Sequence, residues 1–244
     1  MKKHIYSAVI FFAVLQFAAK LTQADLTTEA MGKIRARMTE YQREIRDLHT
    51  TQEVEVLTDQ GEIVQQVELF QKGRKFRVNL EGPIPGAAQW GVDSISSVLV
   101  SDGSTLWMNS PLTGKIQVPF GEALKYHTQT NFWNFLDSEA IKVKAVAQVR
   151  GRSCYVVEAE DESGGPMIFW VDRVTLDILQ SDFRSDEGAF QATFSDFRNI
   201  GGRLSLPYHV EIFQNGELLS VINLQSVQIN SGLSDQYFNA DSVK

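Results

Sequence analysis

Histidine, cysteine and paired carboxylates are the residues from which catalytic or metal chemistry is most often built. The chain has four histidines, His4, His49, His127 and His209. They show no HxH or HxxxH spacing, so no ligand set for a metal is visible. The single cysteine, Cys154, lies in the strand-like run Ser153-Cys154-Tyr155-Val156-Val157 and reads as a buried, inert thiol. The pairs Asp161-Glu162 and Asp186-Glu187 fall among turn residues and read as solvated. No GxSxG or P-loop pattern occurs. Glycosidase carboxylates meet only in three dimensions, so a hydrolase with scattered acids stays open. The expectation is a protein that is not an enzyme, with no metal and no cofactor.

What the sequence does offer is apolar material. Of 244 residues, 43% are hydrophobic, with fifteen phenylalanines and four tryptophans, enough for a sizeable core. A formal charge of −7 argues against nucleic acid as a partner. Met1-Lys2-Lys3, the apolar run Ile5–Ala19 and Thr22-Gln23-Ala24 read as a secretory signal peptide, residues 1–24, cleaved after Ala24. The run is too short to span a bilayer. Cleavage removes Lys2, Lys3 and Lys20 and takes the charge from −7 to −10. No cysteine heads the mature chain, so lipid attachment there is excluded, and one cysteine forms no internal disulfide.

Leu26–Leu48 has the spacing of an amphipathic helix, with Ala30, Ile34, Met38, Tyr41 and Ile45 on one face and arginines on others. Strands follow at Thr51–Leu57, Glu62–Phe70 and Phe76–Leu80. Phe76, Val78 and Leu80 alternate with Arg77 and Asn79, so one face is greasy and the other wet. The loop from Glu81 runs through Trp90 to Ser94. Hairpin turns are expected at Thr58–Gly61, Ser101–Ser104 and Pro111–Gly114. Gly121–Leu136 is aromatic and reads as helical, either packing on the sheet or opening as a lid. Short strands then alternate with turns: Ile141–Val149, Arg152–Glu160, Met167–Asp172, Leu176–Arg184, Phe190–Phe197, Tyr208–Gln214 and Glu217–Ile229. Ser234–Phe238 adds a helical turn. The pattern is mainly β, a barrel or a sandwich, in one domain over residues 25–244. Such a sheet curls around an apolar space; whether that space is a cavity or a packed interior is not decided by the pattern.

Two stretches carry a family resemblance. Leu69-Phe70-Gln71-Lys72-Gly73-Arg74-Lys75-Phe76-Arg77-Val78 precedes the hairpin Val98–Met108 with its Ser101-Asp102-Gly103 turn, Leu106-Trp107 and Pro111. Met167–Asp172, Leu179, Phe194–Asn199 and Leu233–Phe238 follow in the same order as the family's later strands and closing motif. In these the chain resembles the outer-membrane lipoprotein carrier, or lipoprotein-sorting, family (LolA/LolB type). The resemblance implies an unclosed antiparallel β-barrel, a curved sheet with an N-terminal helix and short helices covering a hydrophobic cavity.

It implies, too, a periplasmic carrier that shields the acyl chains of a lipoprotein or another lipid on the way to the outer membrane. An inner-membrane donor and an outer-membrane acceptor would be its partners, and the carrier would act as a monomer. The cavity lining would be Val67, Leu69, Phe76, Val78, Leu80 and Trp107, with Phe132, Trp133 and Phe135 at the lid or mouth. The family's latch arginine, which precedes the motif phenylalanine, has no clear counterpart; Lys72 matches its spacing and Arg74 its type. The alternative is a lipid- or lipoprotein-sensing regulatory module of the same fold.

Overall fold

The computed structural model describes residues 27–59, 61–83, 94–118, 141–160, 166–185, 188–202, 204–239 and 241. The described residues begin with helix α1, residues 27–44. Ala30, Ile34, Met38 and Tyr41, three or four residues apart, give it one buried stripe, and Ile45 just beyond continues it. The expected helix ran on to Leu48. Instead Leu48 heads the first strand, and Asp47 between them is held by the chain's last segment: its carboxylate accepts from Ser231 N (2.7 Å), Ser231 Oγ (3.0 Å) and Gly232 N (3.0 Å).

Thirteen described strands form one sheet. They are β1 (Leu48–Thr58), β2 (Gly61–Lys72), β3 (Lys75–Gly82), β4 (Ile95–Ser101), β5 (Leu106–Ser110), β6 (Gly114–Val118), β7 (Lys142–Val149), β8 (Arg152–Glu160), β9 (Pro166–Asp172), β10 (Ile178–Ser185), β11 (Gly188–Gly201), β12 (Leu204–Gln214) and β13 (Glu217–Ile229). The spatial order is β6-β5-β4-β3-β2-β1-β13-β12-β11-β10-β9-β8-β7, and every ladder is antiparallel. The chain therefore enters at the middle of the sheet. It walks out to one edge, β6, and returns from the other, β7, until β13 pairs with β1. Among the described residues the two edges do not pair, so the barrel is unclosed and the fold class expected from the resemblance is the one observed.

Turn chemistry sets these strands. Asp102 Oδ1 accepts from Ser104 N (2.9 Å) and Thr105 N (2.8 Å), and Gly103 takes φ 97°, which a side chain would resist. Those N–H groups, Thr105 first, hold the Asp102 carboxyl below its usual range. The next strand after β9 was expected from Leu176. Asp172 Oδ1 instead takes Thr175 N (2.7 Å) and Val174 N (2.8 Å) into a turn, Leu176 adopts φ 60°, and β10 begins at Ile178. β12 was expected from Tyr208 but starts at Leu204 and runs through Pro207. The proline is tolerated because it lies opposite Phe197, beside the irregular Asp196 with φ 50°.

One face of the sheet, here the inner face, joins the stripe of α1 in a single buried cluster. Each side chain so buried contributes about 1.5–3 kcal/mol.

Candidate functional site

Val67, Leu69, Phe76, Val78 and Leu80 lie together on the inner face. Val67 pairs with Leu80, Leu69 with Val78, and Phe76 with Gln71, so the five form one patch across β2 and β3. Leu80 packs against the core cluster and the other four belong to it; Phe76 has 0% exposure. The patch is thus covered, and α1 is part of the same cluster.

Trp107 does not share that face. Leu106 and Met108 flank it on the inner side, while Trp107 pairs with Val100 and Gln117 on the outer face. There Lys115 Nζ stands 5.4 Å from its ring centroid. The period of two that groups the inner residues puts Trp107 on the opposite side. Phe132, Trp133 and Phe135 lie outside the described residues, as do the signal segment 1–24, His127 and both acidic pairs.

The latch candidates are resolved differently from each other. Lys72 Nζ donates to the Leu233 carbonyl (3.0 Å) and pairs with Asp235 (2.9 Å), which also meets Lys75 (3.6 Å). Lys72 therefore fastens the C-terminal strap, not α1. These lysines, Lys72 first, hold the Asp235 carboxyl below its usual range. Arg74 is exposed in the turn between β2 and β3. Under the strap, Phe238 is buried, Tyr237 tilts on Phe70 (5.2 Å) and Phe70 stacks on His49 (4.3 Å).

What fastens α1 is Arg37. It is 6% exposed, pairs with Glu40 (3.1 Å) one turn on, and reaches Asp177 (3.8 Å), itself 7% exposed at the head of β10. Asp177 also accepts from Ser205 Oγ (2.5 Å), and the Tyr41 hydroxyl donates to the Ser205 carbonyl. Arg37 Cζ lies 5.1 Å from the Tyr41 ring centroid. Burial holds the Tyr41 phenol well above its ordinary range, against the pull of Arg37. The sequence pattern puts Arg37, with Arg35, Arg43 and Arg46, on faces other than the apolar one. The available signal was its position: between Ile34 and Tyr41 and next to Met38, it falls within the apolar stripe.

Beside this polar cluster a crevice of about 1050 Å³ opens between α1 and the ends of β10–β12, lined among others by Lys33, Arg37, Thr175, Asp177, Phe197 and Ser205. A second hollow of about 520 Å³ lies at the hairpin ends of β9–β12, where Phe183 and Phe190 stack at 5.1 Å. Cys154 is buried, its thiol donating to the Arg152 carbonyl (3.5 Å), and burial pushes its pKa up, as an inert thiol requires.

A sheet open at both edges, with a helix packed into the apolar cluster of its inner face, defines a class of unclosed β-barrels with an associated helix. Solved structures of similar fold include two. A DUF1329 family protein from Desulfovibrio piger has a TM-score of 0.66 and 15% identity, over 89% of this chain and 99% of its own. An outer membrane lipoprotein-sorting protein domain from Vibrio parahaemolyticus has a TM-score of 0.66 and 14% identity, over 86% of this chain and 97% of its own. The likeness is one of fold. No protein-family model matches the chain, and no curated protein matches it.

Proposed function

We propose that this protein is a periplasmic carrier, exported with loss of residues 1–24, whose domain of residues 25–244 shields the acyl chains of a lipoprotein or another lipid. It takes them from an inner-membrane donor and releases them to an outer-membrane acceptor, as a monomer. The observation that carries the reading is the closure of the inner face. Its apolar patch is buried in one cluster with the stripe of a helix, which is tied down at its side by the buried Arg37, Tyr41 and Asp177 and by the half-buried Ser205. Lifting α1 opens the cluster that its stripe shares with Val67, Leu69, Phe76, Val78 and Leu80, and hydrocarbon takes the place of that stripe against the inner face. Each methylene so buried returns about 0.8 kcal/mol, so a long chain offsets what the helix gives up. The fold shared with a lipoprotein-sorting domain supports the same reading.

Native mass spectrometry of the protein recovered from a bacterial periplasm tests it. Co-purified lipid or acylated protein is the expected result. A bare protein that also ignores a fluorescent fatty acid overturns it.

A further inference from the structure

Gln52 is a glutamine in the middle of the apolar wall. Its neighbours on the inner face are Val67 on β2 and Leu224 on β13, and beyond Val67 comes Leu80. Its side chain has 0% exposure. Nε2 meets Thr50 Oγ1 at 2.9 Å, and Thr50 is likewise fully buried. Oε1 has no hydrogen-bond partner. The two ends of an amide have the same shape, and the Thr50 hydroxyl serves equally as donor or acceptor. Turning the amide over lets Thr50 donate to Oε1 and leaves the NH2 free instead. Either way one end of a fully buried amide is unspent, on a surface where leucine would pack at no such cost.

We propose that the Gln52 amide is the contact for the acyl carbonyl of the cargo, the ester or amide linkage by which a fatty chain is attached. This rests on the carrier reading. Hydrocarbon alone gives Gln52 nothing. An acyl carbonyl accepts from its NH2, with Thr50 holding the other end. Gln52 then fixes how deep the chains run, because the linkage stops where the amide is.

The test is competition of two glycerophosphocholines of equal chain length, one ester-linked and one ether-linked, against an environment-sensitive apolar dye. The full-length mature protein should bind the ester lipid about three- to tenfold more tightly. Gln52→Leu should abolish that preference while the urea midpoint stays the same or rises; Gln52→Met serves if the leucine variant fails to fold. Ser181→Ala is the control, since that buried hydroxyl, also without a partner, lies on β10, with three strands between it and β1; its preference should persist. Equal binding of the two lipids by the unaltered protein, or a preference that survives loss of Gln52, overturns the inference and leaves the carrier reading standing. Displacement by neither lipid overturns the carrier reading itself.

Discussion

Arg37 occupies a position on α1 that its neighbours reserve for apolar side chains. A charge there is tolerable because its partners include the carboxylates of Glu40 and the buried Asp177. Replacing Asp177 with Ala therefore takes a carboxylate partner from a buried guanidinium and the acceptor from Ser205 Oγ. The expected cost is about 1–3 kcal/mol, read from urea unfolding. Arg37→Met with Asp177→Leu removes both charges and should cost less than Asp177→Ala alone; a larger cost would mean that the pair stabilises beyond its own desolvation. Phe76 shows the opposite situation. With 0% exposure it has only side chains to lose, and Phe76→Ala should destabilise by about 3–5 kcal/mol. A Phe76→Asp variant should fail to fold before its lipid uptake can be read, since a charge is being buried without a partner. The inner patch was legible in the sequence because a strand's period of two is local. The same rule, followed two strands further, excludes Trp107, but only the register between β4 and β5 shows which of Leu106 and Trp107 faces in. Asp177 was not legible, because nothing near it in sequence points to Arg37, 140 residues away.

At the scale of elements, α1 and the strap after β13 are fastened by different means. α1 is held by buried groups and apolar packing. The strap after β13 is held by Asp47 on backbone N–H groups and by half-exposed lysines on the exposed Asp235. Exposed pairs are screened by salt and buried ones much less, so salt should loosen the strap and leave α1 in place. Acid should act likewise. The carboxyl of Asp235 is held below its unfolded value, so its contribution is present above the ordinary carboxylate range and disappears as pH falls through the lowered value. Amide exchange at residues 235–238 should therefore quicken below that range, ahead of exchange in residues 27–44; simultaneous release of both would show that the lysines are incidental. Asp47→Ala should free the strap even at neutral pH, at a cost of about 1–3 kcal/mol. Strands and turns were readable where alternation met Gly or Asp-Gly. Boundaries failed where a tertiary contact intervened: Asp47 ending the helix early, Asp172 delaying β10, and Phe197 with its irregular neighbour admitting Pro207 into β12.

The whole molecule hangs on a junction that no local pattern announces. Strands β1–β6 and β7–β13 are two antiparallel meanders, each legible as a run of hairpins, and the sheet becomes one only where β1 pairs with β13, as where Leu48 meets Ile229 from far along the chain. Such non-local pairing carries an entropic cost, yet it places the buried Ile222 of β13 beside Val54 of β1, both in the shared core. We propose that the two meanders melt as a single unit. Ile222→Ala should then cost about 2–4 kcal/mol and lower the stability of both arms by the same amount. Variants keeping only Trp107, on β5, or only Trp170, on β9, report each arm separately by fluorescence, with circular dichroism for the sheet as a whole. Coincident urea transitions, shifted together by Ile222→Ala, are the expected result. An arm containing Trp107 that holds while the arm containing Trp170 melts would make these two domains sharing a seam, and the inner face would then be an interface between them instead of one continuous wall for a hydrocarbon chain.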